Sequence, residues 1–394
     1  MAANTTWAYV AATKNPRVLA IDAFRGLTIL VMIFVNTLAG VRGMPAWMDH
    51  APAGADGMTF PDVVFPAFLF IVGMSIPFAM AQREAAGEAS WRLWRHVLSR
   101  GLGMLVLGTF MVNAEEGYNE QAMGMSIHAW SLMFYTCAIA VWVVYPARYS
   151  SAARVARVLG CIGLVLLALR FRGGPDGAVR FAPQWWGILG LIGWAYLFAS
   201  AAYRLSVGRV LPLLCLVAAC TAYFCLARGA GGDALWTAQA ENAVHTSITL
   251  CGMVTALLFF RRPLPFAPAL LLAAGLAATA FLLRPWFKIS KIDATPSWAL
   301  YSAAICVLLF AALYWLVDLR QRLGWTRLVQ PAAASPLMTY LIPYIVYALM
   351  QYLHWSFPAV LGAGWPGLIW ALSYAVLVMG LGALLLRWRI RLQL

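Results

Sequence analysis

Twelve long apolar runs occupy most of this 394-residue chain and limit what it can fold into. A helix needs about 20 apolar residues to cross a bilayer, and most of the runs approach that length. Hydrophobic residues make up 63% of the sequence and charged residues 11%, against roughly 25% charged residues in globular chains. We therefore exclude a soluble fold and predict an all-α bundle of about twelve transmembrane helices, with ten as the lower bound. The runs lie at about 26–42, 61–80, 98–113, 127–145, 155–171, 185–203, 210–227, 244–260, 265–283, 298–317, 334–353 and 366–386.

The segments between the runs are short and rich in Pro, Gly or charge, as in RFRGGPDG and VLGAGWPG. These residues are typical of turns and loops. None of the segments is long enough to hold a second folded unit. We expect residues 1–394 to form a single transmembrane domain.

Basic residues in the connecting segments predict the orientation, because Lys and Arg are retained on the cytoplasmic side. With a cytoplasmic N-terminus, the inner segments hold 19 of the 28 basic residues and the outer segments hold 8. Both termini are therefore predicted to be cytoplasmic. Two outer segments, 170–180 and 284–291, carry three basic residues each, so either a span is miscounted there or these charges have a function.

The net charge of +14 does not indicate a nucleic-acid partner. Its basic residues are scattered singly or in pairs between apolar runs, whereas a nucleic-acid site gathers them on one face. The sequence also has no Cys/His spacing typical of zinc and no Walker, Rossmann or GxSxG fingerprint. We therefore expect no bound metal and no nucleotide hydrolysis.

The first run carries ionisable residues, which are costly at membrane depth and so are candidates for function. Asp22 and Arg25 are three residues apart and lie on one helix face, where they can pair. A charged inner flank of the span explains them equally well. Asn36 follows Asp22 by fourteen residues. That separation is roughly 21 Å along a helix, so Asn36 is expected near the opposite membrane face.

The polar segment VRGMPAWMDHAPAGADGMT contains His50, and Asp62 opens the next run. Histidine is suited to accept and return a proton near neutral pH. If Asp62 reaches His50, it can fix the tautomer of the imidazole and stabilise its charged form. The alternatives are a solvated loop histidine and a carboxylate that only caps a helix N-terminus.

Two further groups open later runs on the predicted outer side. His128 and Trp130 open the fourth run, and Glu241, Asn242 and His245 open the eighth. Each group either lines an outer vestibule or lies at the membrane interface, where aromatic residues are common without any further function.

The strings IDAFRGLTILVMIFVN and DVVFPAFLFIVGMSI, with a polar loop containing one His between them, resemble the catalytic region of the heparan-α-glucosaminide N-acetyltransferase family over 17–76. KISKIDATPSWALYS resembles, more weakly, the Lys and Trp segment of that family. QWWGILGLIGWAYLF is similar to a bacterial branch of it. The polar loop is longer here and lacks the family's aromatic and basic residues before the histidine, which bears on the acceptor sugar.

The resemblance implies a membrane enzyme that moves an acetyl group from acetyl-CoA to an amino sugar of the glucosamine type. His50 takes the place of the catalytic histidine, with Asn36 and Asp62 at active-site positions. The contacts with acetyl-CoA are expected from a second group of residues: Asp22, Arg25, Lys288, Lys291 and Trp298. The expected location is the bacterial inner membrane, among lipid and with His50 on the outer side. A homodimer is compatible with this layout.

Two questions of mechanism stay open at this point. His50 acts either as a general base or as a nucleophile through an acetyl-imidazole. Lys288 and Lys291 either contact an anionic group such as a phosphate of CoA or anchor the chain at the interface. The alternative function is a transporter of a sugar or other small solute, but carriers usually contain internal repeats. No second copy of DAFRG or DVVFP is found.

Overall fold

All twelve apolar runs coincide with helices in the computed structural model, which describes residues 18–146, 149–229, 237–261 and 265–394. Within those residues the chain forms no β-strand, only isolated bridges between loops. The helices are α1 (Leu19–Leu38), α2 (Phe60–Ala85), α3 (Ser90–Glu115), α4 (Ile127–Trp142), α5 (Ser150–Arg170), α6 (Gly187–Leu205), α7 (Val210–Gly229), α8 (Ala240–Arg261), α9 (Phe266–Leu283), α10 (Pro296–Tyr314), α11 (Pro336–Tyr352) and α12 (Gly364–Arg387).

Ten helices in the described part of the chain are long and apolar enough to cross a membrane. A short helix, Thr326–Ala334, meets α11 at 91°, and the two together make an eleventh candidate. The break falls at Ser335, which precedes Pro336, and a residue before proline is disfavoured in helical conformation. α4 has only 16 residues and is shorter than a usual span. The chain is thus a multi-pass membrane protein, whereas twelve spans and cytoplasmic termini stay predictions. Four of the basic residues behind that orientation, Lys14, Arg17, Arg148 and Arg262, lie outside the described residues.

Six helices form a closed ring in which α1 packs on α2, α2 on α6, α6 on α3, α3 on α4, α4 on α11 and α11 on α1. Within the described residues, helices that are not neighbours in this ring do not pack along each other.

Outside the ring, α8 packs tightly against α2 and is buried along nearly its whole length. A Cβ at Gly73 would lie 1.8 Å from the Thr249 carbonyl oxygen, and one at Gly252 would lie 2.0 Å from that of Phe70. Only glycine allows these two backbones to come so close, as in other membrane helix pairs. α10 packs against α2, α8 and α9, so α2 is held between the ring and these outer helices of the bundle.

Candidate active site

Asp62 lies in the first turn of α2 and is almost completely buried, with a side chain 1% exposed. Its Oδ2 accepts hydrogen bonds from the backbone N–H groups of Thr59 at 3.0 Å and Ala51 at 3.1 Å. The bond from Thr59 is the capping interaction that satisfies an unpaired N–H at a helix start. Asp62 thus caps the helix, but the capping bond uses only one of its two carboxylate oxygens.

The other oxygen, Oδ1, lies 2.7 Å from Nδ1 of His50. Because Asp62 is ionised and accepts only, Nδ1 carries the proton of this hydrogen bond. The second ring nitrogen, Nε2, is then left with a free lone pair. The His50 side chain is 39% exposed, so a buried carboxylate orients an accessible imidazole.

Trp298, in the first turn of α10, supports Asp62 from behind. Its indole Nε1–H donates to the backbone carbonyl of Asp62 at 3.1 Å, and its side chain is fully buried. The ring of His245 on α8 meets that of Trp298 edge-on, with centroids 6.1 Å apart. His245 is 4% exposed, and its Nδ1 has no hydrogen-bond partner among the described residues. Three helices, α2, α8 and α10, therefore meet behind the His50–Asp62 pair.

Lys291 reaches His50 from the segment between α9 and α10. Its Nζ lies 3.2 Å from Nδ1 and 3.3 Å from Nε2 of the imidazole. Since the proton on Nδ1 goes to Asp62, the ammonium can donate only to Nε2. Burial lowers the pKa of Lys291 from its ordinary value, and the Asp62 carboxylate opposes that shift. Sequence reasoning expected Lys291 either at an anionic group such as a phosphate of CoA or as an interfacial anchor, and it missed the contact with the imidazole.

The Lys291 segment and the His50 segment are clasped together through Asp56. The Asp56 carboxylate accepts from Ile289 N–H at 2.8 Å and from Arg284 Nε at 2.9 Å, and Gly57 N–H donates to Ile289 O at 3.0 Å. The bond from Ile289 and that from Arg284 lower the pKa of Asp56 below its ordinary value. This clasp fixes Lys291 against His50.

Lys288 completes the clasp and does not reach the imidazole. Its Nζ donates to the Ala53 carbonyl at 2.7 Å and lies 3.4 Å from an Asp293 carboxylate oxygen. It also lines an open cleft of about 930 Å³, together with residues of α7 and α9, which are not members of the ring. All three basic residues of 284–291 thus have partners within residues 50–56 and 284–293, so each of these charges has a structural role.

Asn36 lies in the last turn of α1, at the end from which the His50 segment leaves the helix. Its side chain is exposed and makes no hydrogen bond in the part of the chain that the structure describes. The structure thus puts Asn36 at the same end as His50 without joining the two.

Asp22 and Arg25 form the expected pair, with Nη1 of Arg25 2.9 Å from Oδ1 of Asp22. Nη2 of Arg25 donates to Ser75 Oγ on α2 at 2.8 Å. Arg100 on α3 acts electrostatically on Arg25, although α1 and α3 are not neighbours in the ring. Ser75 follows Asp62 by thirteen residues. That separation is about 20 Å along a helix, so this charged group and His50 lie at opposite ends of the ring.

The family to which the chain belongs follows from its first half. A family model described as "Domain of unknown function (DUF5009)" matches residues 17–218. The chain belongs to this family. It is also a relative of heparan-α-glucosaminide N-acetyltransferase, as its sequence led us to expect.

The similarity to those relatives is confined to one segment. The chain is 34% identical over 98 residues to heparan-α-glucosaminide N-acetyltransferase of Homo sapiens and 32% identical over 97 residues to that of Mus musculus. Each match covers 25% of this chain and 14% of the relative. The chain thus matches about one seventh of the length of each of these relatives.

Proposed function

We propose that this protein is a transmembrane acetyltransferase that moves an acetyl group from acetyl-CoA to the amine of an amino sugar on the outer side of the membrane. Residues 1–394 then act as one acyltransferase domain. The observation that carries the proposal is the accessible His50 imidazole oriented by buried Asp62 at one end of the helix ring. The relatives matched by the chain are N-acetyltransferases by name.

His50 acts as the general base in the direct mechanism. Its Nε2 takes a proton from the acceptor amine as the amine nitrogen attacks the thioester carbon. The tetrahedral intermediate then collapses, the carbon–sulfur bond breaks, and the imidazolium returns the proton to the CoA thiolate. In the alternative route Nε2 attacks the thioester carbon, the carbon–sulfur bond breaks, and an acetyl-imidazolium and the CoA thiolate form. The amine then takes the acetyl group from the imidazolium, and the proton that the amine loses converts the thiolate to the thiol. Asp62 holds the proton on Nδ1 in both routes.

Lys291 and Asn36 supply the donors for the oxyanion of the tetrahedral intermediate. The Lys291 ammonium lies 3.2 Å from Nδ1 and 3.3 Å from Nε2 of His50, so the clasp holds a positive charge beside the imidazole where the substrates meet. A short displacement lets it donate to the thioester oxygen. One preorganised donor of this kind is worth roughly 3 to 4 kcal/mol of transition-state stabilisation.

The nucleotide of acetyl-CoA binds at the other end of the ring, near Asp22, Arg25 and Arg100. Guanidinium groups bind phosphate through paired hydrogen bonds, and the Arg25 side chain keeps 22% exposure for such a contact. The long, thin pantetheine arm then runs through the ring towards His50. Arg25 and Lys291 lie at opposite ends of the ring, so a phosphate bound at Arg25 cannot also contact Lys291. We therefore assign Lys291 to the thioester. Lys288 belongs to the clasp, and Trp298 supports Asp62.

The test uses right-side-out membrane vesicles loaded with acetyl-CoA labelled in its acetyl group, with glucosamine in the outer medium. Labelled N-acetylglucosamine is expected outside the vesicles. The His50→Ala protein should give none, whereas His354→Asn, a change to another exposed outer histidine, should give the parent amount. Absence of labelled product with the parent protein would refute the transferase and favour a carrier.

A further inference from the structure

The cleft that Lys288 lines lies between α7 and α9, beside the clasp. α7 packs on α8 and α9 packs on α10, and within the described residues α7 and α9 do not pack along each other. The buried ring of Phe224 on α7 meets that of Phe287 edge-on, with centroids 5.7 Å apart, and this contact closes the base of the cleft. Both helices are long and apolar enough to cross a membrane, and most of each is exposed. The gap between them therefore faces the bilayer.

The wall formed by the end of α9 is apolar. Phe281 is 64% exposed, Leu282 is 66% exposed, and Trp286, just beyond the helix, is 76% exposed. Apolar side chains this exposed on a membrane helix contact acyl chains, and tryptophan is enriched where acyl chains give way to headgroups. An occupant of the cleft is therefore expected to present hydrocarbon to this wall, as a lipid does and a soluble anion does not.

The rest of the cleft is lined by basic side chains, among them Arg228 at the end of α7 and Arg284. Arg284 uses Nε to bind Asp56, and its two Nη groups have no hydrogen-bond partner in the part of the chain that the structure describes. Nη2 of Arg228 lies 3.0 Å from a carboxylate oxygen of Glu241, and its side chain stays 52% exposed. Guanidinium groups bind phosphate through paired hydrogen bonds, and basic pockets between membrane helices bind lipid headgroups. The cleft thus fits the phosphate of a phospholipid.

Carboxylates in the same cleft restrict the headgroup. Asp56 already accepts from Ile289 N–H and Arg284, whereas the side chain of Asp293 is paired only with Nζ of Lys288, at 3.4 Å, among the described residues. That distance exceeds an ordinary hydrogen bond, so Asp293 keeps acceptor capacity. A carboxylate binds a primary ammonium group through its N–H donors. A trimethylammonium group has no N–H to donate, and a glycerol headgroup carries no cation.

We propose that the cleft between α7 and α9 binds a phospholipid with a primary-amine headgroup, of the phosphatidylethanolamine type. Its phosphate binds Arg228 and Arg284, its ammonium group binds Asp293, and its acyl chains lie along the apolar end of α9. Arg284 keeps its Nε bond to Asp56 while its Nη groups bind the phosphate. The bound lipid therefore holds the clasp that fixes Lys291 against His50. Its binding does not depend on the proposed acetyl transfer.

The binding test is titration of the purified, delipidated protein in detergent with single phospholipids, followed by native mass spectrometry. Phosphatidylethanolamine should bind about tenfold more tightly than phosphatidylcholine or phosphatidylglycerol with the same acyl chains. Arg228→Gln, outside the clasp, should weaken binding of phosphatidylethanolamine about tenfold, because it removes charged donors to the phosphate. Arg180→Gln, at an exposed arginine between α5 and α6, should keep the parent affinity. Asp293→Asn should reduce the preference for phosphatidylethanolamine over the other two lipids.

The effect on the clasp is measured by amide hydrogen exchange in lipid nanodiscs without substrates. The Ile289 amide, which donates to Asp56, should exchange about threefold more slowly in nanodiscs that contain phosphatidylethanolamine than in nanodiscs of phosphatidylcholine alone. Arg228→Gln should remove this difference, and Arg180→Gln should keep it. Equal exchange of the parent in both kinds of nanodisc would overturn the link between the lipid and the clasp.

Equal affinity of the parent and Arg228→Gln for phosphatidylethanolamine would overturn the site, as would equal weakening by Arg180→Gln. Free phosphoethanolamine is the competitor that separates a lipid from a soluble phosphate. If it displaces the lipid at an equal concentration, the acyl chains contribute nothing and the lipid assignment is wrong. A parent that binds phosphatidylethanolamine through Arg228 but never acetylates glucosamine keeps this site and loses the transferase.

Discussion

The two ends of the α1–α2 pair carry charged groups that are built in opposite ways. At the end that carries His50, which we call the outer end in line with the proposed function, the Asp62 side chain is 1% exposed and accepts hydrogen bonds from His50, Ala51 and Thr59. At the opposite end, which we call the inner end, the Asp22 side chain is 38% exposed and that of Arg25 is 22% exposed, and they are joined by one contact. A buried charge is stable only when its hydrogen bonds are satisfied, so the outer group is rigid. The inner group is free to rearrange around a ligand.

We infer from this difference that the end with His50 carries out the reaction and that the end with Arg25 binds the cofactor. A reaction needs donors and acceptors that are already in place, because their ordering then costs nothing at the transition state. A charged cofactor needs accessible cations whose partners can be exchanged. We therefore expect changes at the outer end to lower kcat and changes at the inner end to raise KM for acetyl-CoA.

The largest expected effect is that of His50→Ala. Loss of a general base typically costs about 10² to 10⁴ in rate, and loss of a nucleophile removes the pathway altogether. Acetyl-CoA binding and thermal stability should stay close to those of the parent, because the imidazole is partly exposed and adds little to the bundle. The measurement is the initial rate of acetyl transfer beside His354→Asn. A rate above one tenth of the parent's would remove His50 from the mechanism.

Asp62→Asn should lower kcat nearly as far. The amide cannot hold the proton on Nδ1 as a carboxylate does, and in serine proteases the matching change costs about 10⁴ in kcat. The amide also presents N–H groups towards the N–H donors of Ala51 or Thr59, so the melting temperature should fall as well. Asp49→Asn alters the exposed carboxylate beside His50 and is the matched control. An Asp62→Asn enzyme with parent kcat would leave Asp62 as a helix cap only.

Lys291→Gln should lower kcat by about 10² to 10³, the usual range for loss of one oxyanion donor. KM for acetyl-CoA should change much less, since the residue is assigned to the thioester oxygen and not to phosphate. Lys291→Arg keeps the charge and should recover part of the rate. A rise in KM with kcat unchanged would return Lys291 to the role expected from the sequence, binding of a CoA phosphate.

The sequence predicted the fold better than the site because the positions of the helices depend on local sequence patterns. Each of the twelve apolar runs corresponds to one of the helices α1–α12, although the short helix Thr326–Ala334 was not predicted. The spacing of Asp22 and Arg25 predicted their pair. The contact of Lys291 with His50 joins residues 241 positions apart and depends on how two outer segments clasp. Patterns of single residues carry no record of such packing. The shortness of α4 was also missed, since its apolar run continues to about residue 145 after the helix has ended at Trp142.

At the inner end, Arg25→Gln should raise KM for acetyl-CoA about tenfold or more, since hydrogen bonds to charged groups contribute roughly 1.5–3 kcal/mol. We expect kcat at saturating acetyl-CoA to stay near that of the parent. Arg92→Gln changes an exposed arginine at the same end, one that lies over the Trp91 ring, and serves as the control. If Arg25→Gln instead lowers kcat at saturation, the division between a reactive outer end and a binding inner end is wrong.

The smallest expected effect is that of loosening the clasp with Asp56→Asn. The pKa of Asp56 is lowered in the folded protein, chiefly by the hydrogen bond from Ile289 and then by that from Arg284. Its stabilising contribution is therefore complete above the unfolded pKa of about 3.9 and is lost as the pH falls through the lowered folded pKa.

At neutral pH the Asp56→Asn variant should exchange the Gly57 and Ile289 amide hydrogens faster than the parent. It should turn over about two- to threefold more slowly, because Lys291 is held less firmly. The effect is small because exposed ion pairs contribute little. The exchange rates of variant and parent should converge as the pH falls through the lowered folded pKa, since Asp56 is then protonated in both states of the parent. Asp176→Asn, at an outer carboxylate that binds only within its own turn, should change neither quantity. Equal amide exchange in Asp56→Asn and parent at neutral pH would show that the two outer segments are joined without Asp56.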